Sequence, residues 1–165
     1  MTLAKAILPL AASFLLCGLA AGSAVAADPP EVVVSIKPIH SLVAAIMQGV
    51  GTPDLIVDGA SSPHTYALKP SNARSLEAAK VVFWVGPGME AFLEKPLSAL
   101  SSNALVVELD KAPGITKLKF RAGGAFEADD DGDAPSDEGA DDHGQFDTHL
   151  WLDPHNAKAM TAEIT

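Results

Sequence analysis

Short apolar runs alternating with stretches of helical spacing restrict this chain to one class of fold. The runs are Val32–Ile36, DLIVDG (54–59), VVFWVG (81–86) and ALVVEL (104–109). VVFWVG is apolar throughout and bounded by Gly86, Pro87 and Gly88, the pattern of an interior strand buried on both faces. Between the runs lie a helix opened by Pro38, with Leu42, Val43, Ile46 and Met47 at helical spacing and Gly49 and Gly51 at its end; a helix from Ser71 to Lys80; and a helical stretch, 88–101, broken at Pro96. Strands alternating with helices predict an α/β fold, a mostly parallel four-stranded sheet flanked by helices.

Loops that follow strands in such a sheet gather at its carboxyl edge, where open α/β folds bind ligands. SSPHTYALKPS (61–71) puts His64 in a loop of this kind, stiffened by Pro63. A second histidine falls in a comparable place. THLWL (148–152) alternates as a strand, with His149 and Trp151 on one side and Leu150 and Leu152 on the other, and it ends in a helix start in which Asp153 is the N-cap and Pro154 the first helical residue. Two imidazoles at one rim suit zinc or another late first-row divalent ion, which usually takes four ligands. Asp147 and Asp153 flank His149 and are candidates to accept a ring N–H and so set the metal-binding tautomer, although a helix cap is the better reading of Asp153. His40, in the first turn of its helix, and His155, just inside the last one, read as ordinary polar positions.

Between ALVVEL and THLWL the pattern loosens. Ile115–Phe120 is expected to form a short edge strand blunted by lysines, and residues 121–146 a mobile acidic loop with little to bury. The net charge of −10 originates there: ten of the 21 acids lie within 127–147, a stretch without Lys or Arg, which leaves eleven acids against eleven bases elsewhere. A neutral body with one acidic loop offers no basic face to nucleic acid or to anionic membranes. The loop could gather cations through Glu138, Asp141, Asp142 and His143. It is no EF-hand, because with Asp129 as first ligand the required Gly falls on Ala134 and the closing Glu on Ala140.

The amino terminus reads as an address. Lys5, the apolar run Ala6–Ala21 and the small residues of AVAAD (24–28) make residues 1–26 a secretory signal peptide, and 27–165 a metal-binding lobe exported without cysteine, since Cys17 leaves with the signal. No second hydrophobic span follows, so no membrane insertion is expected after cleavage. AKAMTAEIT (157–165) opens a helix with no stop signal, and the chain is expected to be part of a longer protein. Enzyme signatures are lacking: there is no nucleophile elbow, HExxH or phosphate loop, and no Glu adjoins either histidine to serve a zinc hydrolase as general base.

Taken in order, IKPIHSLVAAIM, SPHTYALKPSNA, FWVGPGMEAFLEKPL and HLWLDPHNA, behind a signal peptide and with an acidic, His-containing insertion before the last, resemble the periplasmic zinc-binding proteins of bacterial high-affinity zinc ABC importers. The resemblance implies a receptor of two α/β lobes joined by a long helix, with Zn2+ carried in the cleft between them and passed to a membrane permease. It makes His64 and His149 the first two metal ligands and puts a third histidine in a second lobe that this chain lacks. Where some relatives carry a glutamate before the first histidine, this chain has Pro63. A periplasmic monomer that binds zinc without turnover is the expectation. Its rivals are a manganese-type receptor of the same superfamily, a secreted metal-buffering or adhesive protein and, further off, a zinc hydrolase.

Overall fold

The computed structural model describes residues 31–120 and 146–165. The signal-peptide reading of 1–26, and Glu138, Asp141, Asp142 and His143 of the acidic insertion, lie outside the described residues. Strands β1 (Val32–Val34), β2 (Asp54–Leu55), β3 (Val81–Trp84) and β4 (Leu105–Glu108) form one sheet in the order β2-β1-β3-β4. Every pairing is parallel, with Val34 opposite both Leu55 and Phe83, and Phe83 opposite Val107. The two central strands carry the core: Val33, Val34 and Val82 are all but inaccessible, which is why their sequence is continuously apolar rather than alternating. β2 is shorter than its apolar run, yet the chain stays beside β1 past its end, with Ile56 N–H donating to Val34 O and Val57 N–H to Ser35 O, each at 2.9 Å.

Helix α1 (Lys37–Ile46) begins with Pro38 in its first turn, turns Ile39 and Val43 into the core, and gives way to Gly49 at φ +81°, a left-handed conformation that glycine adopts without steric cost. His40 Nε2 lies 2.9 Å from Pro53 O and ties α1 to the approach of β2. Helix α2 (Pro70–Ala78) buries Leu76.

The next helical stretch is interrupted one turn earlier than expected. It consists of α3 (Pro87–Glu90), a 3-10 turn at Ala91–Leu93, and α4 (Glu94–Leu100), with Pro96 in the first turn of α4. Proline has no N–H for the carbonyl four residues back and its ring crowds that carbonyl, so the α-helical ladder fails around Phe92 and not at the proline.

Two expected strands are absent among the described residues. Ile115–Phe120 does not add to the sheet edge: the segment leaves β4 through a 3-10 turn at Leu109–Lys111 and crosses to the last helix, and Lys119 makes a single antiparallel bridge with Phe146. Thr116 is held instead by a side chain, with its N–H and C=O both engaged by Asn156. THLWL is likewise no strand. Leu150–Leu152 form a 3-10 turn that leads straight into α5 (Pro154–Ile164), and the turn buries Leu150 but leaves Leu152 73% exposed, where a strand would have turned both to one face. The cap reading of Asp153 holds, since its carboxylate accepts the His155 N–H at 2.8 Å.

The carboxyl edge of the sheet is pinned from within by Glu90. This wholly buried side chain accepts a hydrogen bond of 2.5 Å from Ser35 Oγ, just past β1, and bonds of 3.1 and 3.0 Å from the N–H groups of Val85 and Gly86, just past β3. Gly86 sits at φ +149°, and a Cβ there would meet Asp110 Cγ at 2.9 Å, so the close packing beneath this edge requires glycine. Burial pushes the Glu90 carboxyl up to about 7 from its ordinary 4.5, against the three donors that favour the ionised form and with Asp110 adding repulsion. A group that holds its proton more tightly when folded loses stability as pH rises, here from 4.5 through about 7, by up to about 3 kcal/mol.

Glu90→Gln copies the protonated form, with its amide donating to Ser35 Oγ and its carbonyl accepting from the backbone. The variant is expected to match its parent at about pH 5 and to exceed it at about pH 8. Urea midpoints of both proteins at the two pH values check this, and parallel pH profiles would show that Glu90 does not titrate in that range.

Candidate metal centre

His64 is set by a short turn and two anchors. Ser62 caps a 3-10 turn, Pro63–Thr65, by accepting the His64 N–H at 3.3 Å, and Pro63 supplies the fixed φ of the first position. Just beyond, Tyr66 is 9% exposed; its hydroxyl lies 2.9 Å from Ile56 O and 3.1 Å from Asn72 Oδ1, and its ring packs 5.2 Å from that of Phe92. Asn72 Oδ1 also accepts the Lys69 N–H at 3.1 Å, so one amide ties the loop to the start of α2. The other end is held by Lys37 Nζ, which donates to Gly59 O, and by an exposed Lys69–Asp58 pair at 2.8 Å that adds little energy but holds the Asp58 carboxyl below its usual range. Tyr66 and Asn72 are the anchors that the pattern of the loop did not reveal. The available signal was one large aromatic residue among Ser, Pro and Lys, where a solvated loop has no use for it.

His149 is set by its own neighbour. Asp147 Oδ1 accepts the His149 backbone N–H at 2.9 Å and lies 2.7 Å from His149 Nδ1. The backbone bond, and then the ring bond, hold the Asp147 carboxyl below the usual carboxylate range. An ionised carboxylate can only accept, so in the neutral ring Nδ1 carries the proton and the lone pair of Nε2 is left free for an electrophile. Trp151 flanks the ring edge-on at 5.5 Å.

These two elements bring His64 and His149 together. Their ring centroids are 5.6 Å apart at an interplanar angle of 62°, although 85 residues of sequence separate them. The other candidates fall elsewhere: His40 is engaged with Pro53 O, Asp153 caps α5, and the His155 side chain is 95% exposed. Among the described residues no group of three or more His, Cys, Asp or Glu side chains converges as a metal cluster. The edge therefore offers a pair of imidazoles, one of them with a fixed tautomer.

Comparison with known proteins agrees with this architecture. The family described as "ZnuA: Zinc-uptake complex component A periplasmic" matches residues 32–165. The high-affinity zinc uptake system protein ZnuA of Brucella abortus (strain 2308) is 49% identical over 165 aligned residues, covering 87% of this chain and 49% of the relative, and that of Yersinia pestis is 38% identical over 140, covering 81% and 44%. The chain thus spans about half the length of the curated relatives it matches. In fold it is similar to the periplasmic zinc-binding protein TroA from Treponema pallidum (TM-score 0.62, 20% identity, 82% of this chain and 42% of that one). It is similar also to a manganese-bound periplasmic metal-binding protein from Candidatus Liberibacter asiaticus (TM-score 0.60, 18% identity, 81% and 43%). With a match that runs from β1 to the last residue of the chain, the protein belongs to the ZnuA family of periplasmic zinc-uptake components.

Proposed function

We propose that this chain is the first lobe of a periplasmic zinc receptor, exported by the signal peptide of residues 1–26, that captures Zn2+ with His64 and His149 and passes it to the membrane permease of an ABC importer. The observation that carries the reading is the spacing of the two rings. With metal–nitrogen distances of roughly 2.0–2.1 Å, two imidazoles on one tetrahedral ion have ring centres about 5 to 6 Å apart. The 5.6 Å separation falls within that range. Two neutral nitrogens suit a borderline ion such as zinc, whereas manganese favours added carboxylates, and the position before His64, where some relatives carry a glutamate, is Pro63. No Glu adjoins either histidine in the sequence to serve as a general base, which favours carriage over hydrolysis, and the receptor is taken to act as a monomer.

A pair of imidazoles fills half of a tetrahedral shell, so water or donors from the remaining length of the relatives complete it, and high affinity requires that completion. Asp147 acts through His149: it holds the ring with Nε2 outward and strengthens it as a donor. The carboxylates of 127–147, with His143, Asp141, Asp142 and Glu138, form a second, weaker and less selective place for cations.

Calorimetric zinc titration of the chain lacking residues 1–26, beside His64→Ala and His149→Ala and repeated in excess calcium, tests the assignment. Both variants are expected to lose most of the binding, with calcium unable to compete. Parental binding in the variants together with displacement by calcium would assign the zinc to the acidic insertion and remove the site from the sheet edge. Asp147→Ala is expected to weaken zinc by about 10–100-fold while sparing the stoichiometry. An unchanged affinity in the same titration would deny Asp147 its role.

A further inference from the structure

We propose that Asn156 is a positioning residue for His149, acting through the backbone of residues 116–118. This inference rests on the reading of His149 as a zinc ligand, but its first consequence can be measured without metal. Asn156 lies in the first turn of α5 and is 2% exposed, an unusual place for a carboxamide unless both of its polar ends are engaged. Both are: Oδ1 accepts the Thr116 N–H at 2.8 Å, and Nδ2 donates to Thr116 O at 2.9 Å. The side chain thus engages both backbone groups of Thr116, as a neighbouring strand would.

The pairing continues toward the metal centre. Two residues beyond Thr116, Leu118 O accepts the Asp147 N–H at 2.8 Å. Asp147 in turn holds both the N–H and the Nδ1 of His149 through Oδ1. Asn156, Thr116, Leu118, Asp147 and His149 therefore form one series of directional bonds that starts on a rigid helix and ends on the imidazole. Exposed ion pairs are poor at fixing geometry, and the Asp147–His149 contact is half exposed. Anchoring the Asp147 backbone from behind keeps its carboxylate in register with the ring.

The location gives the clamp a second task. The insertion leaves the described fold after Phe120 and returns at Phe146, between Leu118 and Asp147 in the same series, where Lys119 and Phe146 make their bridge. A carboxamide fixed to α5 thus also anchors the backbone of residues 116–118 where the chain departs toward the insertion.

The test reads the ring itself. In the metal-free chain at about pH 8, where imidazole is neutral, two-bond proton–nitrogen correlations should find His149 in the Nδ1–H form. In Asn156→Ala the His149 signals should move toward the Nε2–H form while those of His40 and His64 stay, and zinc affinity should fall on the order of tenfold. Asn156→Asp, which keeps the acceptor for Thr116 N–H but loses the donor, should fall between, and Thr116→Ala, which keeps the backbone groups, should behave like the parent. If Asn156→Ala does not fold by circular dichroism, Asn156→Asp decides. A parental His149 tautomer in a folded Asn156 variant would overturn the proposal. A shifted tautomer with undiminished zinc affinity would uphold the clamp and dismiss His149 as a ligand.

Discussion

Parallel pairing is the constraint from which the rest follows. β1 runs parallel to both β2 and β3, and β3 to β4, so each strand must return to the same starting edge through a crossover, and every loop that follows a strand opens on the opposite edge. The loop after β2 carries His64; the turn before α5, reached only after the chain has left the sheet, carries His149. No local rule brings residues so far apart in sequence to a ring separation of 5.6 Å. The sheet does it by making one edge the common destination, and Glu90 keeps that edge closed by bonding to residues just past β1 and β3 at once.

Two carboxyl groups near that edge are driven in opposite directions by their surroundings. Asp147 has N–H donors and solvent, which keep it ionised and able to orient an imidazole. Glu90 has donors too, but burial outweighs them and raises it toward neutrality. The chemistry of the two side chains is the same. What differs is water, and this divides the edge into a charged, wet surface and a floor that stays close to neutral.

Much of this was legible in the chain. The central strands declared themselves because burial on both faces leaves an unbroken apolar run, and α5 because Asp153–Pro154 is a cap followed by a first-turn proline. The errors share a cause. Ile115–Phe120 looked like a lysine-blunted edge strand; its partner, however, is the side chain of Asn156, which no periodicity reveals. THLWL alternates over only five residues, too few to separate a period of two from a 3-10 turn in which one leucine is buried and the other exposed. Tyr66 and Asn72 escaped notice for a related reason, since their partner Ile56 belongs to the end of another element. Local pattern singled out His64 and His149 as candidates; the anchoring of Tyr66 and Asn72 to Ile56 lies beyond its reach.

The bridge between Lys119 and Phe146 bears on how such a protein can diversify. Because the two ends of the insertion already meet, the entropy of closing the intervening chain grows only as the logarithm of its length, and each doubling costs about 0.6 kcal/mol. A change in the number of residues between Phe120 and Phe146 thus costs little in chain closure. The insertion is also a natural graft point, where a foreign sequence could be spliced a few residues from His149 without altering the sheet and helices.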